Sequence, residues 1–134
     1  MDEKVVKETP KSDWVTQRSA CTLPKIFQEL RVQVEEDVKA RNALRPKNSP
    51  YEFSVVENGA DFTALLKTKD AQKSVIFHLA VHAIVVLDDK GEQMFEVTVT
   101  FNDAGDCKLH VNDKERELWQ VRRMALENLL FEGY

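Results

Sequence analysis

The chain has 134 residues, of which 31% are charged and 43% hydrophobic, with a net charge of −4. That is one domain's length with apolar residues enough for a single core. No segment reaches the about 20 consecutive apolar residues of a membrane-spanning helix. The polar opening from Met1 to Pro10 is not expected to be a signal peptide. Residues 51–111 hold five basic against ten acidic side chains, whereas residues 22–50 hold six against four. An acidic field over the middle of the chain disfavours nucleic acid and anionic membrane as partners.

In chain order, residues 1–12 are charged and aperiodic and are expected to form a flexible arm, with a single α+β domain over 13–134. Trp14 and Val15 break the polar character of that arm and are expected to dock on the domain, where the arm would fold over the second face of the sheet and cover it as an alternative to a second subunit. Cys21 and Cys107 have no metal-ligand spacing, and the expectation is free thiols in a reducing, cytoplasmic setting. A helix is expected over Leu23 to Leu44, with Thr22 as N-cap and Pro24 in its first turn. Leu23, Ile26, Phe27, Leu30, Val34 and Val38 recur at helical spacing and form its apolar stripe. The stripe continues one turn beyond Val38 to Arg41, which is expected either to be exposed at its end or to pair with Asp37. Pro46 to Pro50 read as a stiff polar loop.

Five strands follow. Asn58-Gly59 reads as a two-residue hairpin turn, which would set Val55 against Phe62 and Phe53 against Ala64. The next connection, around Lys69 to Gln72, is expected to set Leu66 against Val75 and Phe62 against Leu79. Ser74–Leu87, the longest apolar run, reads as one central strand. Asp89-Lys90-Gly91 and Asp103-Ala104-Gly105 read as three-residue turns closed by glycine. They would set Val85 against Phe95, Val81 against Val99, Val99 against Leu109 and Phe101 against Cys107. Asn112 with Glu115 resembles a capping box that opens a last helix, whose apolar face holds Leu118, Trp119, Val121, Ala125, Leu126, Leu129 and Leu130. Gly133 would close it. Arg122 falls within that face and is expected either to reach solvent or to pair with Asp37 or Glu35.

The fold class that follows is α+β in two layers: an N-terminal helix, a five-stranded antiparallel meander and a C-terminal helix, with both helices on one face of the sheet. That order of elements is similar to the order in cystatin-like and kinase-associated C-terminal domains. No residue motif of either is present, and the likeness implies architecture alone.

The second face of the sheet collects Asp61, Thr63, His78, Ala80, His82, Glu96, Thr98, Thr100 and His110 among apolar neighbours such as Leu65, Ile76, Ile84, Val86 and Met94. No metal is expected. His82 and His110 would stand about 10 Å apart, and His78 and His82 about 13 Å apart, whereas the ligands of one zinc each lie about 2.1 Å from it. No cofactor motif is present either. The mixture of apolar, histidine and threonine side chains fits an interface. The expected function is a non-catalytic binding and assembly module that self-associates through this face as a homodimer. The alternative is a small enzyme or small-ligand-binding protein that uses the Asp/His/Thr patch for proton transfer.

Overall fold

The computed structural model describes residues 13–131. The expectations for the arm 1–12 and for Gly133 lie outside the described residues. The elements in order are α1 (Trp14–Ala20), α2 (Leu23–Ala43), β1 (Glu52–Asn58), β2 (Asp61–Lys67), β3 (Gln72–Leu79), β4 (Ile84–Leu87), β5 (Gln93–Phe101), β6 (Cys107–Val111), β7 (Lys114–Arg116) and α3 (Leu118–Phe131). All seven strands are antiparallel to their neighbours and stand in sequence order. The chain is therefore α+β with two helices packed on one face of a meander, of seven strands rather than five.

Helix α2 begins where its capping chemistry puts it. The Thr22 side chain accepts from the Lys25 backbone N–H, and proline sits in the first turn. Phe27, Leu30, Val34 and Val38 are buried. They join Val121, Ala125, Leu126, Leu129 and Leu130 of α3 in one core with Phe53, Phe62, Ala64, Leu66, Val75 and Phe77 of the sheet. Phe62 and Phe77 stack with ring centroids 4.5 Å apart at 9°. Trp119, placed on the α3 core face by its spacing, is half exposed instead.

The Ser74–Leu87 run is not one strand. Fourteen residues would extend about 46 Å, whereas the strands on either side have seven and nine residues. Half of the run would lack a partner. The chain instead reverses at Ala80–Ala83, where the Ala80 N–H donates to the Ala83 carbonyl at 2.9 Å, and β3 pairs with β4. Val81 is then 85% exposed at a turn, rather than core opposite Val99.

Three further corrections concern register. The first turn lies one residue later than expected, at Gly59-Ala60, with Asn58 opposite Asp61. Only Gly59 of the two has positive φ (+66°), which suits glycine at the first central position of a type II′ turn. Phe62 faces Phe77 rather than Leu79, and Val75 faces Ala64 rather than Leu66. Both shifts are by two residues, so every side chain keeps its expected face. The third shift is by one. The Asp88 to Glu92 turn forms as expected, with the Asp88 N–H bonded to the Glu92 carbonyl. A bulge then follows between Val86 and Leu87 and leaves Met94 without an opposite residue. That turns β4 over: Ile84 and Val86 enter the core against Val97 and Phe95, and Val85 lies opposite Glu96.

At the other end, Asn112 and Asp113 do not cap a helix. Both take positive φ (53° and 65°) and form the turn between β6 and β7. Asn and Asp tolerate the left-handed region better than other side chains, and two such residues in succession define a type I′ hairpin. Helix α3 starts five residues later, at Leu118.

Cys21 and Cys107 are joined by a disulfide with Cα atoms 5.5 Å apart, which replaces the expected free thiols. The bond ties the junction of α1 and α2 to the first residue of β6. Helix α1 buries none of its own residues. Trp14 is 58% exposed, beside the β5–β6 turn. Arg41, expected at the surface or paired with Asp37, is buried. Its Nε donates to the Leu130 carbonyl at 2.8 Å, and its guanidinium lies over the rings of Phe53 and Phe131. It thereby satisfies a carbonyl at the end of α3 that the helix cannot satisfy itself. Arg122 pairs with Asp37, Nε donating to Oδ2 at 2.7 Å.

Candidate functional site

With both helices on one side, the other face of the sheet has no described element packed on it. Alternation along the strands assigns its side chains. One cross-strand row runs Val56, Thr63, Ile76, Leu87. The next carries His78, Val85 and Glu96, with Asp61 beside His78. A third holds Thr98, His110 and Glu115, and Thr100 stands opposite Lys108. The β1–β4 half of the face is therefore mainly apolar, with Leu65 beside Ile76, and the β5–β7 half is polar.

The expected site residues separate into three groups. Asp61 and His78 touch: His78 Nδ1 lies 2.6 Å from Asp61 Oδ1. An ionised carboxylate only accepts, so Nδ1 carries the proton and Nε2 is left for another partner. Thr98, Thr100 and His110 form the second group, with Thr100 Oγ1 3.0 Å from His110 Nε2. The register predicted for β5 and β6 is the one observed, so Thr98 does face His110. His82 and Ala80 form the third group, and both are displaced from the middle of the face to the β3–β4 turn, with His82 exposed. Thr63 and Glu96 stand on the face as expected, whereas Ile84 and Val86 are on the other side.

The histidine groups do not converge. His78 on β3 and His110 on β6 are three strand spacings apart, about 14 Å. Among the described residues no group of three or more His, Cys, Asp or Glu side chains is placed to hold a metal ion. A site for acid–base chemistry needs a nucleophile or a second proton donor near the base, within a concavity. Beside His78 the row continues instead with Val85.

The edges of the sheet bear on what can join it. A two-residue turn makes Asn58 and Asp61 a hydrogen-bonded pair, so Phe53, Val55 and Glu57 direct their backbone groups outward from β1. The Asn42 side chain of α2 occupies one of these positions. Its Nδ2 donates to the Phe53 carbonyl at 2.7 Å, and the Phe53 N–H donates to its Oδ1 at 3.0 Å. The amide thus stands in for one residue of a neighbouring strand. The opposite edge, β7, is three residues long. Short or covered edges resist strand addition.

Sequence reasoning missed two features. A groove of about 400 Å³ runs between α2 and α3, walled by Leu44, Trp119, Leu126 and Phe131. The other is a basic cluster at one end of the sheet, foreshadowed only by the excess of basic residues over 22–50. Comparison with family models, with curated proteins and with solved structures finds no match.

Proposed function

We propose that the chain is a non-catalytic binding and assembly module that self-associates as a homodimer through the sheet face on which no described element packs. The observation that carries this reading is the contiguous apolar patch of Val56, Leu65, Ile76, Val85 and Leu87 on a face that no described element covers. Seven strands make a face about 29 Å wide, and a seven-residue strand is about 23 Å long. The resulting area, roughly 650 Å², approaches the about 800 Å² per partner of a standard interface. Blunted edges favour stacking of faces over lateral pairing.

A second reading rests on the Asp61–His78 contact, which would orient His78 as a base for a small substrate. Among the described residues its neighbour along the row is Val85 rather than a nucleophile or a second proton donor, and it stands behind assembly for that reason. A dilution series read by sedimentation tests the first reading: the mass should fall from twice to once the chain mass on dilution. A single-chain mass at every concentration would oppose it.

No described helix is long and apolar enough to cross a membrane. The cytoplasmic expectation rested on free thiols. A formed disulfide between Cys21 and Cys107 fits an oxidising compartment instead. Thiol titration of the natively produced chain tests this, with no reactive thiol expected before reduction.

A further inference from the structure

Two loops and the last residue of β2 bring four cationic side chains together at one end of the sheet. Residues 44–51 join α2 to β1, and residues 68–71 join β2 to β3. Between them lies a groove of about 370 Å³ walled by Arg45, Lys47, Ser49, Lys67 and Lys69, with Glu52 the one carboxylate among its lining residues. Asp70, in the β2–β3 loop, does not line it. Four cations thus face one carboxylate in a chain whose net charge is −4.

Three of the four cations are not neutralised within the fold, and the fourth, Arg45, is paired with Glu52. The side chains of Lys47, Lys67 and Lys69 make no ion pair or hydrogen bond among the described residues. Arg45 is held in place: Nε donates to Asn42 Oδ1 at 3.1 Å, Nη1 donates to the Tyr51 carbonyl, and Nη2 is 3.9 Å from Glu52. Pro46 and Pro50 restrict the loop that carries Lys47 and Ser49. A second observation comes from Ser49. Its hydroxyl is buried in the groove wall and has no hydrogen-bond partner, a costly state for a polar group.

We propose that this groove is a binding site for a phosphate-type anion, either a small soluble phosphate ester or pyrophosphate, or the headgroup of a phosphorylated lipid. A dianion relieves the mutual repulsion of the three lysines and gains charge-assisted hydrogen bonds from them. The fixed Arg45 guanidinium supplies a planar donor at no further ordering cost. The Ser49 hydroxyl gains an acceptor when a phosphate oxygen reaches it from the groove. The site lies at the end of the sheet: Lys67 and Glu52 stand at the end of the uncovered face, and the other cations come from the two loops.

The test is a titration of the full chain with inorganic pyrophosphate, followed by amide chemical shifts and calorimetry. Saturable shifts are expected at residues 45–52 and 67–70, with affinity falling as salt is added. Reversing two charges, Lys67→Glu with Lys69→Glu, should weaken binding by about tenfold or more, since hydrogen bonds to charged groups are worth that much. Lys47→Glu should act in the same direction. These lysines are exposed, and circular dichroism confirms that each variant is folded. Ser49→Ala should weaken binding less, and unchanged affinity would remove Ser49 from the site. Phosphatidylcholine vesicles with and without a polyphosphoinositide separate the sources: capture by the phosphoinositide vesicles alone points to a lipid headgroup, and pyrophosphate binding without capture points to a soluble ligand. The absence of both, or binding that survives the charge reversals, overturns the proposal.

Discussion

Replacing Asn42 by Ala tests whether a side chain completes the sheet at its long edge. Asn42 makes two bonds with the Phe53 backbone, at 2.7 and 3.0 Å, and also accepts from Arg45 Nε. Arg45 keeps its contacts with Tyr51 and Glu52 once Asn42 is gone, and only its Nε has to turn to water. The Phe53 backbone groups are less free to do so, because the Phe53 side chain is buried in the core and holds them beside α2. Each lost bond costs about 1 kcal/mol net, so Asn42→Ala should lower unfolding stability by about 2 kcal/mol. Urea denaturation measures that loss, and hydrogen exchange should localise it to the Phe53 amide. Asn42→Asp sharpens the argument. An aspartate can still accept from the Phe53 N–H but sets an oxygen against the Phe53 carbonyl, so it should not rescue. A change under about 0.5 kcal/mol for Ala, or full stability with Asp, would refute the strand-mimic role.

Other consequences follow from burial and linkage. Leu30 and Leu126 are 1% and 2% exposed, so either one changed to Ala should cost about 2–5 kcal/mol by chemical denaturation. A near-neutral result would remove that helix stripe from the core. The disulfide closes a separation of 86 residues, and its replacement by Cys21→Ser with Cys107→Ser should cost about 2–4 kcal/mol. Exchange protection of α1 should be lost at the same time, because that helix buries no residue of its own. Arg122 holds Asp37 through two contacts, at 2.7 and 3.3 Å, in a half-buried setting. A double-mutant cycle of Arg122→Met and Asp37→Asn should give a coupling of about 1 kcal/mol; zero coupling would mean that solvent screens the pair.

Much of the architecture was legible because strand alternation tolerates errors of two. The β1–β2 and β2–β3 registers each slipped by two residues, yet Phe53, Phe62, Ala64, Leu66, Val75 and Phe77 all lie on the expected face. The β5–β6 register was read correctly from Asp103-Ala104-Gly105. Strand β4 was not legible. Its break at Ala80–Ala83 contains no Gly, Pro, Asn or Asp to announce a turn, and the bulge at Met94 has no distinctive residue either. Asn112-Asp113 carried two meanings, since the side chains that cap helices are also those that tolerate positive φ. The disulfide was hidden because two cysteines 86 residues apart meet only through the fold. The two-residue slip between β2 and β3 likewise brings Asp61 and His78 into contact, which the expected register did not.

The assembly claim is tested most directly at Ile76, in the middle of the uncovered face. Arginine there would set a charge against Val56, Leu65 and Leu87 in any mate stacked on this face, without entering the core. The same substitution at Trp119, half exposed in the helix layer, serves as the control. Light scattering on the three proteins at matched concentration gives the answer. The account predicts a dimer for the unaltered chain and for Trp119→Arg, and a folded monomer for Ile76→Arg. A dimer that survives Ile76→Arg, or one that only Trp119→Arg breaks, would contradict it.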